Sequence, residues 1–112
     1  MIALEVGIKA LSVNEAFQGR RYKTAKFKDF EAQVNLLLPR RKTPMRGQVE
    51  ISYTFFLTNA SRTDVDNLIK CFQDILVKKN YIEDDRKIYR IHAEKVAHSS
   101  DFIHFAIQPY KK

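Results

Sequence analysis

The sequence contains little that would cross-link, loosen or anchor the chain. It has one cysteine, three glycines, three prolines and no tryptophan among 112 residues. The single Cys71 cannot form an internal disulfide and fits a reducing cytosol, while the few Gly and Pro exclude a linker-rich or fibrous protein. No apolar run approaches the roughly 20 residues that span a bilayer, and MIALEVGIKALSV lacks the pattern of a signal peptide. We therefore expect no membrane association and a cytoplasmic location.

The residues that are abundant predict a folded domain. Eight Phe and five Tyr accompany an ordinary hydrophobic content of 45%, which makes disorder a poor interpretation. The length is typical of one domain with one core, so residues 1–112 are expected to form a single domain.

The positive charge is confined to one region. The segment 18–46 contains nine basic and two acidic residues, whereas the rest of the chain contains eleven of each sign. Clustered Arg and Lys are typical of a surface that contacts nucleic-acid phosphates. The plainer alternative is that these charges only form a solvated surface. Binding to an anionic membrane is a weaker alternative, because two prolines interrupt the segment and prevent one continuous amphipathic helix. The candidate DNA contacts here are Arg20, Arg21, Lys23, Lys26, Arg40, Arg41, Lys42 and Arg46.

Apolar spacing predicts the secondary structure. Strands are expected near 2–8, 48–58, 88–98 and 102–108, and the last two are expected to form a hairpin with Tyr89, Ile91 and Ala93 facing inward. Residues 14–23 are expected to form a loop. Helices are expected from Thr24, its N-cap, to the residue before Pro39, and from about Asp66 to Val77. This order predicts an α+β (mixed α/β) domain in which a small mixed sheet carries two helices on one face.

The segment TDVDNLIK, Thr63 to Lys70, places two carboxylates at the start of the second predicted helix. If 64–66 is extended, Asp64 and Asp66 point to one side. Asp66, Lys70 and Asp74 then follow at four-residue spacing, nearly opposite the apolar stripe. Helix capping and an exposed Asp66–Lys70 pair are the plain alternatives. However, one helix needs only one acidic cap.

Further carboxylates, Glu83, Asp84 and Asp85, come after the same helix. A loop and strand could carry one of them back to its start. Carboxylates held together repel one another unless a cation lies among them, and Mg²⁺ prefers such hard oxygen ligands. A basic surface with an acidic pocket is the arrangement expected of a nuclease, since the metal activates water and neutralises phosphate charge.

These motifs resemble the RusA-type crossover-junction endodeoxyribonucleases. TDVDNLIKCFQDIL and IEDDRKI match the family pattern at Asp64, Asp66, Asn67, Lys70, Asp74, Asp84 and Asp85. ALSVNEAF and AEKV resemble two further segments and place Asn14 and Lys95 as DNA-binding candidates. The chain departs from the pattern at KKNYIEDD, where the family often has Gly, and at Arg86 and Lys87.

The resemblance implies a Mg²⁺-dependent homodimer, with Mn²⁺ as a substitute metal, that resolves four-way DNA junctions by paired nicks. Asp64, Asp66 and Asp85 would bind the metal, and Lys70 would be catalytic. Asn67, Asp74 and Asp84 are candidates for residues that contact these ligands or their waters without binding the metal directly. Nearby carboxylates favour the charged ammonium, so Lys70 fits a donor to the phosphate or its attacking water better than a general base. In an extended chain Asp84 and Asp85 would point in opposite directions, and we expect Asp85 to be the ligand. A non-catalytic nucleic-acid-binding module and a protein adaptor with a basic face are the alternatives.

Overall fold

A four-stranded mixed sheet organises the protein, for which a computed structural model describes residues 1–18 and 22–112. The strand order is β1 (Ile2–Val6), β6 (Phe102–Pro109), β4 (Val49–Leu57) and β5 (Ile88–Ala97). β4 is antiparallel to β6 and parallel to β5, and β6 is antiparallel to β1. The predicted α+β fold with a mixed sheet is confirmed.

β4 is the strand on which the core is built. Its alternating residues Val49, Ile51, Tyr53, Phe55 and Leu57 are all buried, as the period of two predicts. Three residues of β6 on the same face are buried beside them. The two longer helices cover this face, and their apolar side chains join the strands in one core.

The helix α2 (Ala25–Leu37) begins as predicted at Thr24, whose hydroxyl accepts a hydrogen bond from the Phe27 amide. The helical spacing of the apolar residues predicts a buried stripe of Phe27, Phe30, Val34, Leu37 and Leu38. All of these are buried except Leu37, which is 51% exposed. Before it, residues 13–18 are not loop: Val13–Ala16 form the short helix α1, and β2 (Phe17–Gln18) pairs with β3 (Tyr22–Lys23).

The connection from β4 to β5 carries the acidic motif. Two 3-10 turns, Ala60–Arg62 and Val65–Leu68, lead into the helix α3 (Ile69–Lys78). The predicted stripe of α3 is buried or partly buried, and Asn80 closes the helix with a φ of 68°. Cys71 is fully buried, and burial raises the pKa of its thiol to about 11. It is therefore a small core residue.

The predicted hairpin of the last two strands is wrong. β4 lies between β5 and β6, so β5 forms an edge of the sheet. At that edge Tyr89 and Ile91 are 56% and 43% exposed rather than inward, whereas Ala93 packs partly against the core. Within the described ranges, no helix has the length and apolar character needed to cross a membrane.

Candidate active site

The turn that holds the first two acids does not use them as caps. Asp64 is extended and precedes the 3-10 turn that contains Asp66, and neither this turn nor α3 begins with a side-chain capping hydrogen bond. Both carboxylates are exposed, while Val65 packs against the core. The segment is therefore not extended through Asp66 as we expected, but the capping alternative is also without support.

Asp64 lines a surface depression with polar neighbours from three parts of the chain. Asn14 reaches it from α1, and Asn67 reaches it from the turn after Asp64. Arg62 lies in the same depression and is exposed. The structure thus brings together three residues of the predicted site and adds a guanidinium that the sequence analysis did not single out. Its position two residues before Asp64 was the available signal.

A second depression is lined by one acid of α3 and by three acids that follow this helix. Asp74, Glu83, Asp84 and Asp85 line it, together with the amines of Lys23 and Lys78. Lys78 also forms an ion pair with Glu31 at 2.8 Å, and this hydrogen bond raises the Lys78 pKa. The neighbouring Lys78 amine, together with burial, lowers the pKa of Lys23. Two amines beside four carboxylates give this depression both signs of charge.

Asp84 and Asp85 face the same depression, so the expectation that they point in opposite directions is wrong. The chain is extended at Asp84 but turns into a 3-10 turn, Asp85–Lys87, which brings the two carboxyl groups together. A hydrogen bond from the Arg86 amide lowers the pKa of Asp84 to about 2. The Asp84 carboxylate, through a hydrogen bond and its charge, raises the pKa of Asp85. The pair therefore competes for one proton.

Lys70 lies on the exposed side of α3, as predicted. Its amine is 3.5 Å from an Asp74 carboxylate oxygen, four residues along the helix. The Lys70 side chain is 61% exposed and that of Asp74 is 34% exposed, so this is a solvated pair. Asp74 also lines the depression that contains Asp84 and Asp85, and its charge contributes to the raised pKa of Asp85.

The three predicted metal ligands are distributed over this surface. Asp64 lies in the first depression and Asp85 in the second, and Asp66 is exposed on the turn before α3. Among the described residues, no three His, Cys, Asp or Glu side chains are close enough together to hold a metal ion. The ligand types suit Mg²⁺, but three of them would have to move closer to bind one ion. The ligand assignment stays a prediction.

Lys95, predicted to contact DNA, instead makes two short intramolecular contacts. From β5 its amine donates to the carbonyl oxygens of Ala60 at 2.6 Å and Thr63 at 2.7 Å. These two residues lie on either side of Arg62, and Thr63 directly precedes Asp64. Lys95 thus holds in place the segment that carries the first acid of the motif.

Most of the predicted basic residues also contact the protein itself. Arg40 donates to the Lys78 carbonyl at 2.8 Å, and Arg46 lies 3.6 Å from the Glu83 carboxylate. Arg41 bonds to a carbonyl in its own loop at 3.3 Å, and Lys26 pairs with Glu15 at 3.4 Å. Lys42 is exposed on the same loop as Arg40, Arg41 and Arg46.

The basic loop that contains Arg40 to Arg46 lies against the end of α3. Arg20 and Arg21 lie outside the described residues. The loop with Arg40 to Arg46 is tied to the end of α3, because Asn80 donates to the carbonyls of Arg41 and Lys42 at 3.1 Å. Lys78, which sequence reasoning missed, follows Asp74 by one helical turn on the same helix. That spacing was the signal that could have found it.

Comparison with known proteins shows that the chain is similar to one family of nucleases. A family model described as Endodeoxyribonuclease RusA matches residues 10–108. A protein of Aquifex aeolicus (strain VF5), named Crossover junction endodeoxyribonuclease RusA, is 25% identical over 65 residues. That alignment covers 57% of this chain and 52% of the relative, so the match spans about half of each protein. Both depressions lie within the matched region.

Proposed function

Because the chain belongs to the RusA endodeoxyribonuclease family, we propose that it is an endodeoxyribonuclease that resolves four-way DNA junctions by paired symmetric nicks, in DNA recombination and repair. The observation that carries the proposal is the family match over residues 10–108, within which exposed carboxylates flank α3 without capping it. Exposed carboxylates that do not cap this helix are free to bind a cation. A cytoplasmic location fits a substrate of this kind.

We propose that Asp64, Asp66 and Asp85 bind Mg²⁺, for which Mn²⁺ can substitute. When bound, the metal supplies Lewis-acid stabilisation of the charge that develops on the phosphate. Carboxylate oxygens are the ligands that Mg²⁺ prefers, and exposed side chains can turn towards an ion. Asp74, Asp84 and Asp85 form a competing set, since all three line one depression.

The remaining residues of the site hold and orient the DNA. Lys70 is exposed beside Asp74, so its amine can donate to the scissile phosphate or to the attacking water. Arg62 and Asn14 lie next to Asp64, where they can donate to the flanking phosphates. The exposed amines of Lys23 and Lys42 extend the same positive surface.

We propose that the active form is a homodimer. A four-way junction has near two-fold symmetry and needs two cuts, and a dimer with a two-fold axis presents two equivalent sites. The partners of this chain are therefore branched DNA and a second copy of itself.

The test is nicking of a synthetic four-way junction by the purified protein, with and without Mg²⁺. Symmetric nicks in two strands are expected only with the metal. Binding of junctions without nicking at any Mg²⁺ or Mn²⁺ concentration would instead indicate a non-catalytic nucleic-acid-binding module.

Single Asp-to-Asn variants distinguish the two carboxylate sets. Asp64→Asn, Asp66→Asn and Asp85→Asn should each abolish nicking and weaken Mn²⁺ binding, while junction binding is kept or strengthened because negative charge is lost. Asp29→Asn is the matched control, because this exposed carboxylate lies on α2 outside both depressions. If Asp74→Asn abolishes Mn²⁺ binding and Asp64→Asn does not, the metal belongs to the second depression.

A further inference from the structure

The edge of the sheet at β5 (Ile88–Ala97) is long, and its pairing with β4 is regular from Arg90 to Ala97. In the described part of the chain no strand pairs with the other side of β5. Exposed edges of this length usually recruit another strand unless the protein shields them. Tyr89 and Ile91 are exposed on this edge, and the strand contains no proline.

We propose that β5 pairs antiparallel with β5 of a second copy, with the two His92 residues opposite each other on the two-fold axis. This inference rests on the proposed function only for the expectation of a dimer. In this register Arg90 lies opposite Glu94 of the second copy, and symmetry repeats the pair. On the other face Ile91 meets Ala93 of the second copy, so an exposed apolar side chain gains an apolar neighbour.

The charges of the strand select this register over its neighbours. A shift that centres on Ile91 would set Arg90 opposite His92 and Glu94 opposite Ile88, so both Arg90–Glu94 pairs would be lost. A shift that centres on Ala93 would leave Arg90 opposite Val96. Arg90 already contacts Glu50 at 3.2 Å, but a guanidinium has five N–H donors and can serve a second carboxylate.

The pairing also explains how two sites can act on one junction. Residues directly opposite each other in a sheet point to the same face, so this register puts the helices of both copies on one side. The contacts of Lys95 with Ala60 and Thr63 show that the segment before Asp64 lies beside β5. The two copies of this segment would therefore flank the two-fold axis on the same face.

Cysteine cross-linking measures the register without DNA or metal. His92→Cys should form a disulfide-linked dimer under mild oxidation, because opposite residues are about 5 Å apart at Cβ. Val96→Cys is the control: it lies on the same face of the same strand, but its two copies would be about 27 Å apart. The native Cys71 is buried and does not compete.

Charge reversal measures the proposed pairs in solution. Sedimentation of the wild type over a wide range of concentration should give a reversible dimer, since one strand edge buries less than the ~800 Å² per partner of a standard interface. Glu94→Arg should raise the dimer Kd about tenfold or more. Arg90→Glu in the same chain should lower it again. Glu5→Arg, an exposed reversal on the opposite edge strand β1, should leave the Kd unchanged.

Two results would overturn the proposal. If the wild type stays monomeric at every concentration, the charged side chains of β5 prevent its free edge from pairing with another strand. A dimer that Glu94→Arg does not weaken and His92→Cys does not cross-link uses another surface. Junction nicking is measured separately, so a dimer of the proposed register that cannot nick would refute the proposed function and leave the interface standing.

Discussion

The contact of Lys95 with the segment before Asp64 leads to a prediction that separates two roles for this residue. In Lys95→Met the side chain keeps its length and apolar stem but loses the amine that donates to Ala60 and Thr63. If the role is to position the segment, the variant loses stability locally. If the role is to contact DNA, it loses a phosphate contact.

The size of the effect follows from the geometry. Hydrogen bonds to a charged group contribute ~1.5–3 kcal/mol each, and the distances of 2.6 and 2.7 Å are short. Lys95 is exposed, so water replaces part of what is lost and screens the charge. We therefore expect Lys95→Met to lower the free energy of unfolding by about 1–2 kcal/mol in total.

Urea unfolding and amide hydrogen exchange measure this loss. Exchange should quicken most at the amides of Arg62, Thr63 and Asn67, which bond within the two 3-10 turns. Lys87→Met is the control, because it removes an exposed amine just before the same strand. Nicking should fall as well, because Asp64 follows the loosened segment directly.

The DNA-contact role gives a different result in the same protein. A lost phosphate contact would reduce the salt slope of junction binding by about 0.9. Unchanged unfolding and exchange together with that smaller slope would refute the positioning role of Lys95.

Three further predictions concern the acids and the core. Lys70→Ala should lower the free energy of unfolding by no more than about 0.5 kcal/mol, since its pair with Asp74 is solvated. It should slow single-turnover nicking on the order of 10²-fold at saturating Mg²⁺, and full recovery with excess metal would contradict a catalytic role. Asp84→Asn should lower the pKa of Asp85, measured by carbon NMR of its carboxyl group in the metal-free protein, because the Asp84 carboxylate is the main cause that raises it. The pKa of Asp84 is lowered to about 2, in contrast to that of Asp85. The ionised Asp84 therefore stabilises the fold above the ordinary carboxyl pKa, and this stabilisation is lost as the pH falls towards 2. Tyr81→Phe should cost about 1 kcal/mol in urea unfolding, because its buried hydroxyl donates to the Pro39 carbonyl at 2.6 Å.

Features that depend on neighbouring residues could be predicted from the sequence. Thr24 caps α2 through an amide three residues away, and the side chains of β4 alternate because successive residues of a strand point to opposite faces. Asn80 closes α3 in the left-handed conformation that Asn tolerates. In each case the interaction that fixes the structure involves residues close together in the chain, so the local sequence pattern predicts it.

Features that depend on distant residues could not be predicted. Whether Ile91 is buried depends on the strand order, and β5 lies at the edge because β4 pairs between it and β6. The register also shifts between Val49 and Glu50, where Tyr89 is skipped in the pairing. The alternation of apolar and polar residues in β5 predicts that its side chains point to two faces. Which neighbouring elements cover each face depends on the strand order, which the alternation does not determine.

The candidate site divides in the same way. The four-residue spacing of Lys70 and Asp74 correctly places them on one side of α3, because helical geometry is local, whereas Asp66 lies on the 3-10 turn before the helix. The spacing does not predict that Lys95 would bond to Ala60 and Thr63. It also does not predict the 3-10 turn that brings Asp84 and Asp85 together.

The length of α3 makes the Asp-to-Asn variants decisive for the metal ligands. Asp66 and Asp74 are eight residues apart, which corresponds to about 12 Å along a helix. The oxygens that bind one Mg²⁺ lie about 2.1 Å from it, so a single ion cannot bridge that distance without movement of the chain. Asp85 lines the same depression as Asp74, Val77 and Lys78, so it lies towards the end of α3 that is remote from Asp66. A site formed by Asp64, Asp66 and Asp85 therefore needs Asp64 and Asp85, which line different depressions, to approach each other when metal binds, whereas Asp74, Asp84 and Asp85 already line one depression. Amide chemical shifts of 83–87 during a Mg²⁺ titration should change strongly in the first case, and Asp64→Asn should abolish that change.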